Sequence, residues 1–213
     1  KGKKMIDTSS LAYKKWLVVA LLWGSHFITF VIRISLGVVA PTLITLYGIS
    51  PTAMGLILSG YSWFYMASLL PIGFLVDRFG PFLVMGYGSL VWGLATIAFP
   101  LVTVSVFFFL MRGMFGAGHS MMIPGGAASL SDWVGRDQRA LAVGLTFAGG
   151  TMGLAFGSPT AALLLDRFGW QWVFYIVGTA SLFFSLAWFL LYPLERRGPR
   201  TTPDQEKKPV TQK

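Results

Sequence analysis

Two arginines, Arg33 and Arg112, stand inside long apolar stretches of the sequence. A charged side chain within a bilayer costs several kcal/mol by insertion scales, so it is rarely idle. By contrast, all eight Asp and Glu residues fall in segments that the sequence predicts to be loops or tails. Guanidinium matches a carboxylate in a bidentate geometry and keeps its charge. Apolar segments with arginines and no carboxylates are therefore expected to receive a negatively charged group.

A histidine stands seven residues from each arginine: His26 precedes Arg33, and His119 follows Arg112. Seven residues are about two helical turns, so each histidine shares the helical face of its arginine. Because the two segments are predicted to run in opposite directions, each histidine would lie on the cytoplasmic side of its arginine. Both segments would then present an arginine and a histidine in the same order to one cavity. Imidazole changes charge near neutral pH, so His119 is also a candidate proton carrier.

Two tyrosines one helical turn apart, Tyr61 and Tyr65, offer hydroxyl groups to the same cavity. Simpler roles stay open for all these polar residues. A histidine or tyrosine in a helix bundle can make only an interhelical hydrogen bond. An arginine near a helix end can extend to the membrane surface. The chain has no cysteine, which excludes disulfides and thiolate metal ligands, and the sequence predicts neither a metal nor a cofactor.

The composition is that of a membrane protein. The chain is 54% hydrophobic with a mean hydropathy of +0.66, and only 12% of its residues are charged, against about 25% in an average soluble domain. A net charge of +9 would suit nucleic-acid binding. The basic residues, however, stand at the ends of apolar segments and form no patch, so no nucleic-acid partner is expected. The lipid bilayer is the predicted environment.

Gly, Pro and polar breakers divide the chain into six apolar spans, each near the roughly 20 residues that cross a bilayer. The predicted spans are 16–45, 52–76, 82–100, 104–130, 140–165 and 172–192. Residues 1–15 are predicted to form a cytoplasmic N-terminal segment, and residues 193–213 a disordered cytoplasmic tail rich in Pro, Lys and Thr. Because the first residue is Lys and not Met, the sequence is interpreted as a fragment.

Orientation follows from the basic residues. With the N-terminus in the cytoplasm, 14 of the 17 Lys and Arg residues lie inside, two lie in the membrane, and only Arg167 lies outside. An internal repeat agrees with this topology: residues 75–80, LVDRFG, recur as LLDRFG at 164–169. Each copy follows the second helix of a three-helix unit. The sequence therefore predicts an all-α membrane protein of six transmembrane helices, arranged as two inverted three-helix repeats that are typical of secondary transporters.

Two motifs carry a resemblance to the major facilitator superfamily. Residues 73–80, GFLVDRFG, resemble the G-x-x-x-D-R-x-G loop between that family's second and third helices, and residues 112–118, RGMFGAG, resemble its R-x-x-x-G-x-G motif on helix four. The resemblance covers residues 16–192 and implies the N-terminal six-helix half of a twelve-helix transporter, with a second half as partner. It also implies a cytoplasmic gate that braces the two halves in the outward-facing state, formed by Gly73, Asp77, Arg78 and Gly80.

A narrower resemblance is to the anion:cation symporter branch, which carries sugar acids and other organic anions. It rests on Arg33 with Ala40-Pro41, on residues 131–133, SDW, and on residues 169–175, GWQWVFY. The resemblance implies that Arg33 and Arg112 contact a substrate carboxylate and that Tyr65 lines the cavity. It also implies a plasma membrane location, in bacteria the inner membrane.

This chain departs from the branch where carboxylates commonly carry protons. Ile32 stands where the branch commonly has Asp, and His119 stands where it commonly has Glu. The gate loop also lacks its trailing basic pair and continues as Pro81-Phe82. Coupling to protons, exchange against a counter-anion and uniport therefore all stay open. If protons are coupled within this half, His119 is the best candidate.

We therefore predict a secondary transporter of a small organic anion, working by alternating access, and not an enzyme. One alternative is a facilitator-family exporter of cationic or neutral solutes, which would be expected to use an intramembrane carboxylate. A second is a half-size unit that dimerises, or a membrane module without transport. A membrane-embedded enzyme would need a nucleophile, a base or a metal cluster, and two histidines on separate helices make a poor one.

Overall fold

The computed structural model describes residues 8–194, and the predicted terminal segments lie largely outside this range. The described chain is all helical, and six stretches of helix are long and apolar enough to cross a membrane. The elements are α1 (Thr8–Tyr47), α2 (Pro51–Phe79), α3 (Pro81–Ala98), a 3₁₀ turn (Phe99–Leu101), α4 (Ser105–His119), α5 (Met122–Trp133), α6 (Arg136–Phe168) and α7 (Trp170–Leu191). The predicted six-span, all-α fold is confirmed.

The fourth span is broken, which the sequence did not predict. Helix α4 ends at His119 and α5 begins at Met122. The Ser120 hydroxyl donates to the carbonyl oxygen of Ala117 at 2.8 Å. Pro124 lacks an amide hydrogen, and its ring crowds the carbonyl four residues earlier. The break therefore falls one turn before this proline and directly after His119.

The acidic residues were predicted to lie in loops, and this was wrong for those that the structure describes. Asp77, Asp132, Asp137 and Asp166 all lie in the first or last turns of helices. The helices extend further than the apolar runs because polar side chains in a terminal turn reach solvent. The N-terminal boundary shifts for the same reason: residues 8–15, predicted to precede the first span, belong to α1.

Single glycines join the helices at both copies of the repeated motif. Gly80 ends α2 with φ 83° and ψ 161°, and Gly169 ends α6 with φ 88° and ψ 167°. In each case the glycine amide donates to the carbonyl four residues earlier, at 2.9 Å to Val76 and 3.0 Å to Leu165. This backbone region is almost restricted to glycine. The repeat therefore extends to the backbone conformation.

Contacts between α3 and α7 mark the symmetry relation between the repeats. The indole Nε1 of Trp92 donates to the hydroxyl of Ser181, a residue 89 positions later. This is also the offset between the two motif copies. Two residues at equivalent positions of symmetry-related repeats can touch only near the symmetry axis. The contact between Trp92 and Ser181 therefore lies next to the axis that relates the two repeats. The repeat makes α1 equivalent to α4 and α2 equivalent to α6. The packing of α1 on α6 therefore corresponds to the packing of α4 on α2, and both contacts are present.

Glycines allow the closest helix contacts. A Cβ added to Gly116 in α4 would overlap the backbone carbonyl of Tyr61 in α2, and one added to Gly149 in α6 would overlap that of Trp23 in α1. Small residues let helix backbones approach in membranes. The α2–α4 contact at Gly116 fixes the position of Tyr61 and so begins the candidate site.

Candidate functional site

The guanidinium groups of Arg33 and Arg112 both lie against the aromatic ring of Tyr61. The Cζ atom of Arg33 is 5.0 Å from the ring centre, and that of Arg112 is 5.4 Å from it. These distances are within the range of cation–π attraction. Three helices contribute: α1 carries Arg33, α2 carries Tyr61 and α4 carries Arg112. The structure thus brings the two predicted arginines together, while their contact with a substrate stays a prediction.

The two arginines differ in how firmly they are held. Arg112 is buried, and its Nη2 donates to the backbone carbonyl of Arg33 at 3.1 Å. Its Nε is also buried and has no hydrogen-bond partner within residues 8–194. The Arg33 side chain is exposed and makes no hydrogen bond or ion pair to any other described residue; its second contact is the Phe30 ring at 5.6 Å. One guanidinium is therefore fixed, and the other presents its donors at an open face.

His119 is hydrogen-bonded to Tyr61. The phenolic oxygen lies 2.6 Å from Nδ1 of the imidazole, and both side chains are buried. Four other rings surround the imidazole at centre-to-centre distances between 5.6 and 6.2 Å: Phe30, Tyr65, Trp92 and Phe115. Tyr65 also stacks on Tyr61 at 5.7 Å. The structure thus brings the predicted residues Tyr61, Tyr65 and His119 into one cluster, which contacts the arginines through the Tyr61 ring.

His26 is placed next to this cluster and is held by its own helix. Its Nδ1 lies 3.0 Å from the carbonyl oxygen of Leu22. A carbonyl can only accept, so Nδ1 carries the hydrogen in this arrangement. The imidazole stacks on Phe30 at 6.4 Å and meets the edge of Phe147 at 5.3 Å. Phe30 therefore contacts both histidines, and its role was missed in the sequence.

The two repeats contribute matching pairs of rings with the histidine and phenylalanine exchanged. In α1, His26 stacks on Phe30; in α4, Phe115 stacks on His119, with interplanar angles of 12° and 23°. Each member of one pair lies 89 positions from its counterpart in the other. Applying the repeat offset to the two histidines would have identified Phe30 and Phe115. Without that offset they are ordinary apolar residues at helical spacing.

No carboxylate neutralises the arginine pair within the described chain. The four described acidic residues stand at helix ends, and none of them pairs with Arg33 or Arg112. Residues 8–194 also contain no group of three or more His, Cys, Asp or Glu side chains that could hold a metal ion. The cluster is a cationic site bounded by aromatic rings.

The four predicted gate residues lie together at the other end of α2. Gly73 and Asp77 line an open hollow of about 510 Å³ between α2, α5 and α6, together with Arg139. The Arg78 guanidinium lies over the neighbouring Phe79 ring at 5.4 Å, and Gly80 ends the helix. Bracing of a second half by these residues stays a prediction.

Two large hollows among the described residues leave the arginine pair outside. The 510 Å³ hollow and an apolar groove of about 470 Å³ between α2, α3 and α4 are lined by neither Arg33 nor Arg112. Arg112 borders a void of about 10 Å³. A small molecule at the exposed Arg33 would therefore need a further wall to be enclosed.

Comparisons with known proteins identify the relatives of this chain. A family model described as Major Facilitator Superfamily matches residues 22–212. A protein of Oryza sativa subsp. japonica, named a probable chloroplastic anion transporter, is 32% identical over 81% of this chain and 30% of its own length. A protein of Escherichia coli strain K12, named a probable L-galactonate transporter, is 33% identical over 81% of this chain and 38% of its own length.

A solved structure shares the fold. The bacterial homologue of the human lysosomal transporter Spinster, in an inward-facing and unoccupied conformation, matches with a TM-score of 0.79 and 21% identity. The match covers 97% of this chain and 48% of that one. This chain thus spans about a third of the length of the two relatives described above, and about half of the solved structure.

Proposed function

The chain belongs to the Major Facilitator Superfamily, and we propose that it forms the N-terminal half of a secondary transporter that carries a small organic anion by alternating access. Its relatives are transporters, and the chain is a multi-pass membrane protein. The observation that carries the proposal is the arginine pair on the Tyr61 ring with no carboxylate partner among the described residues.

In the proposed mechanism, the anion enters between the two guanidinium groups. Arg112 is already oriented by the Arg33 carbonyl, so little freedom remains to be lost when it binds. Arg33 is exposed and supplies donors that are not used elsewhere in the described chain. The Tyr61 ring contacts both guanidinium groups and attracts them by cation–π interaction. Tyr65, one turn further along α2, is placed to line the same space.

The second half of the transporter supplies the missing wall in this proposal. Helix α2 exposes a row of large apolar side chains, with Met66 73% exposed and Leu70 76% exposed. Such a face suits a helix partner, as well as lipid. Relatives of roughly two to three times this length have room for a second domain. The gate residues Asp77 and Arg78 would face that domain at the cytoplasmic end, with both termini in the cytoplasm.

Proton coupling is proposed through His119, the only one of the two histidines that is hydrogen-bonded to the arginine platform. The titratable and charged groups that face it come from three helices: His26 and Arg33 on α1, Tyr61 and Tyr65 on α2, and Arg112 on α4. Movement of the arginines on binding an anion would shift the Tyr61 ring and, through its hydroxyl, the imidazole. Counter-anion exchange is the alternative.

The test is a thermal-shift screen of the intact protein against a panel of organic anions. A ligand that binds the native state raises the apparent melting temperature in a concentration-dependent manner. We expect carboxylates and sugar acids to raise it, and neutral sugars of the same size to leave it unchanged. Stabilisation by cationic compounds, together with no response to any anion, would reject the proposal.

A further inference from the structure

The positive charge of the candidate site is not balanced by any residue in the described part of this chain. Arg33 and Arg112 contribute two positive charges within contact distance of one tyrosine ring. Ile32, the neighbour of Arg33 in the chain, is 3% exposed and packs in the core, and His119 pairs with Tyr61, so neither adds a negative charge. With both histidines neutral the site carries +2, and protonating either one only raises that charge.

An unbalanced charge matters most when the site is closed. Coulomb energies grow as water leaves, because the effective dielectric constant falls. Removing one member of a buried ion pair is strongly destabilising for the same reason. Alternating access requires a stage at which the substrate is enclosed. Counting the groups of this half, a bound monoanion would leave a charge of +1, whereas a dianion would leave none.

The donors are also divided into two groups. Arg112 is 7% exposed and uses Nη2 on the Arg33 carbonyl, so only part of its guanidinium remains for a ligand. The side chain of Arg33 is exposed and makes no hydrogen bond in the described chain, so all of its guanidinium donors remain for a ligand. Two guanidinium groups on one aromatic platform match two anionic groups, or one group with two charges.

We propose that the site selects small dianions over monoanions of the same size. This inference rests on the proposed function, since it names the class of anion that the transporter takes. The shared chemistry is a charge of −2, which a dicarboxylate, a carboxylate with a sulfonate, or a phosphate can supply.

The first experiment compares matched ligands on the intact protein in detergent at neutral pH. Glucarate and gluconate are six-carbon sugar acids that differ in one terminal carboxylate, and succinate and succinamate differ in the same way on a shorter chain. Inorganic phosphate, which is present partly as the dianion at neutral pH, tests two charges that share one group. We expect the dianion of at least one pair to reach half-maximal thermal stabilisation at a tenfold lower concentration than its monoanion.

Two variants test the charge argument directly. Arg33→Gln removes one charge from an exposed side chain that makes no hydrogen bond in the described chain, so folding should be preserved. His119→Glu adds one negative charge beside Tyr61. Either variant should abolish the preference for the dianion. Arg167→Gln removes an exposed charge from the last turn of α6 and should retain the preference.

The outcomes separate this inference from the proposed function. Equal responses to the dianion and the monoanion in both pairs, or a response to the monoanions alone, would overturn dianion selection and leave anion transport in place. A preference for the dianion that survives Arg33→Gln and His119→Glu would also overturn it, because the selection would then not arise from the charge of this site. No response to any anion would retire the proposed function as well.

Discussion

The hydroxyl of Tyr61 and Nδ1 of His119 are 2.6 Å apart, in a buried hydrogen bond that joins α2 to α4. The ring of the same tyrosine carries the guanidinium groups of Arg33 and Arg112. Among residues 8–194, Tyr61 is therefore the one that touches both arginines and the histidine proposed to move a proton. Its ring and its hydroxyl can be tested separately.

Tyr61→Phe should keep the aromatic platform and remove the hydrogen bond to His119. We expect anion affinity to stay within about threefold, because cation–π attraction does not need the hydroxyl. The protein should lose about 1 kcal/mol of stability through the unpaired imidazole. Tyr61→Leu removes the ring too, and affinity measured by isothermal titration should fall by about tenfold, equivalent to roughly 1.4 kcal/mol. Equal affinity in the two variants would show that the ring does not support the arginines.

Arg112→Ala should remove anion uptake by proteoliposomes that contain the intact transporter. A charge-assisted hydrogen bond contributes about 3 kcal/mol at most, so uptake should fall roughly a hundredfold. Arg112→Lys should recover part of the loss, because lysine keeps the charge and lacks the planar fork that reaches both the Arg33 carbonyl and an anion. Undiminished uptake by the alanine variant would reject the proposed clamp.

The packing of α2 on α4 offers a prediction about stability. Gly116→Ala should lower the melting temperature in detergent, because its Cβ would overlap the Tyr61 carbonyl and force the helices apart. Overpacking of this kind costs about 1–3 kcal/mol. Gly144→Ala is the matched control, since a Cβ there meets nothing within 4 Å. Equal melting temperatures would mean that the close approach at Gly116 contributes little.

The arginine pair could be predicted from the sequence because charge in a membrane span is expensive and therefore rare. Once six spans were counted, only Arg33 and Arg112 remained inside them, and their positions along oppositely directed helices indicated similar depths. The structure places both on one ring. The fold could be predicted for a related reason, since span length and breakers are set by the thickness of the bilayer.

The remaining features depend on contacts that local sequence does not reveal. Phe30 and Phe115 line the site, yet phenylalanine at helical spacing is common throughout this chain. The break after His119 lies inside a continuous apolar run, so hydropathy alone passes through it. The predicted C-terminal ends of the second and fifth spans are too early. Asp77 and Asp166 are residue types typical of loops, whereas here each lies in the last turn of its helix.

The gate motif contains two glycines, Gly73 and Gly80, and only Gly80 has a positive φ angle. Gly80→Ala should destabilise the protein by about 1–3 kcal/mol, because φ 83° with ψ 161° is strained for any side chain. Gly73 is helical and a Cβ there meets nothing within 4 Å, so Gly73→Ala should leave stability unchanged or raise it by up to about 1 kcal/mol. Both are measured by thermal unfolding.

Transport by the Gly73→Ala variant then tests the gate itself. A variant that is fully stable and yet transports slowly would show that the open space beside Gly73 is filled by the second half of the transporter. Normal transport would remove Gly73 from the gate and leave its role to Asp77 and Arg78.

His119→Gln tests proton coupling while preserving a side chain that can accept from Tyr61. In proteoliposomes with an acidic exterior, the unmodified protein should take up anion faster than at equal pH on both sides, since a proton and the anion would enter together. Glutamine does not change charge with pH, so the variant should lose this acceleration while still exchanging anion between the two sides. His26→Gln is the control, because His26 bonds only to its own helix and should leave the acceleration intact. An unmodified protein that ignores the pH gradient would reject a coupling role for His119 and favour exchange against a counter-anion.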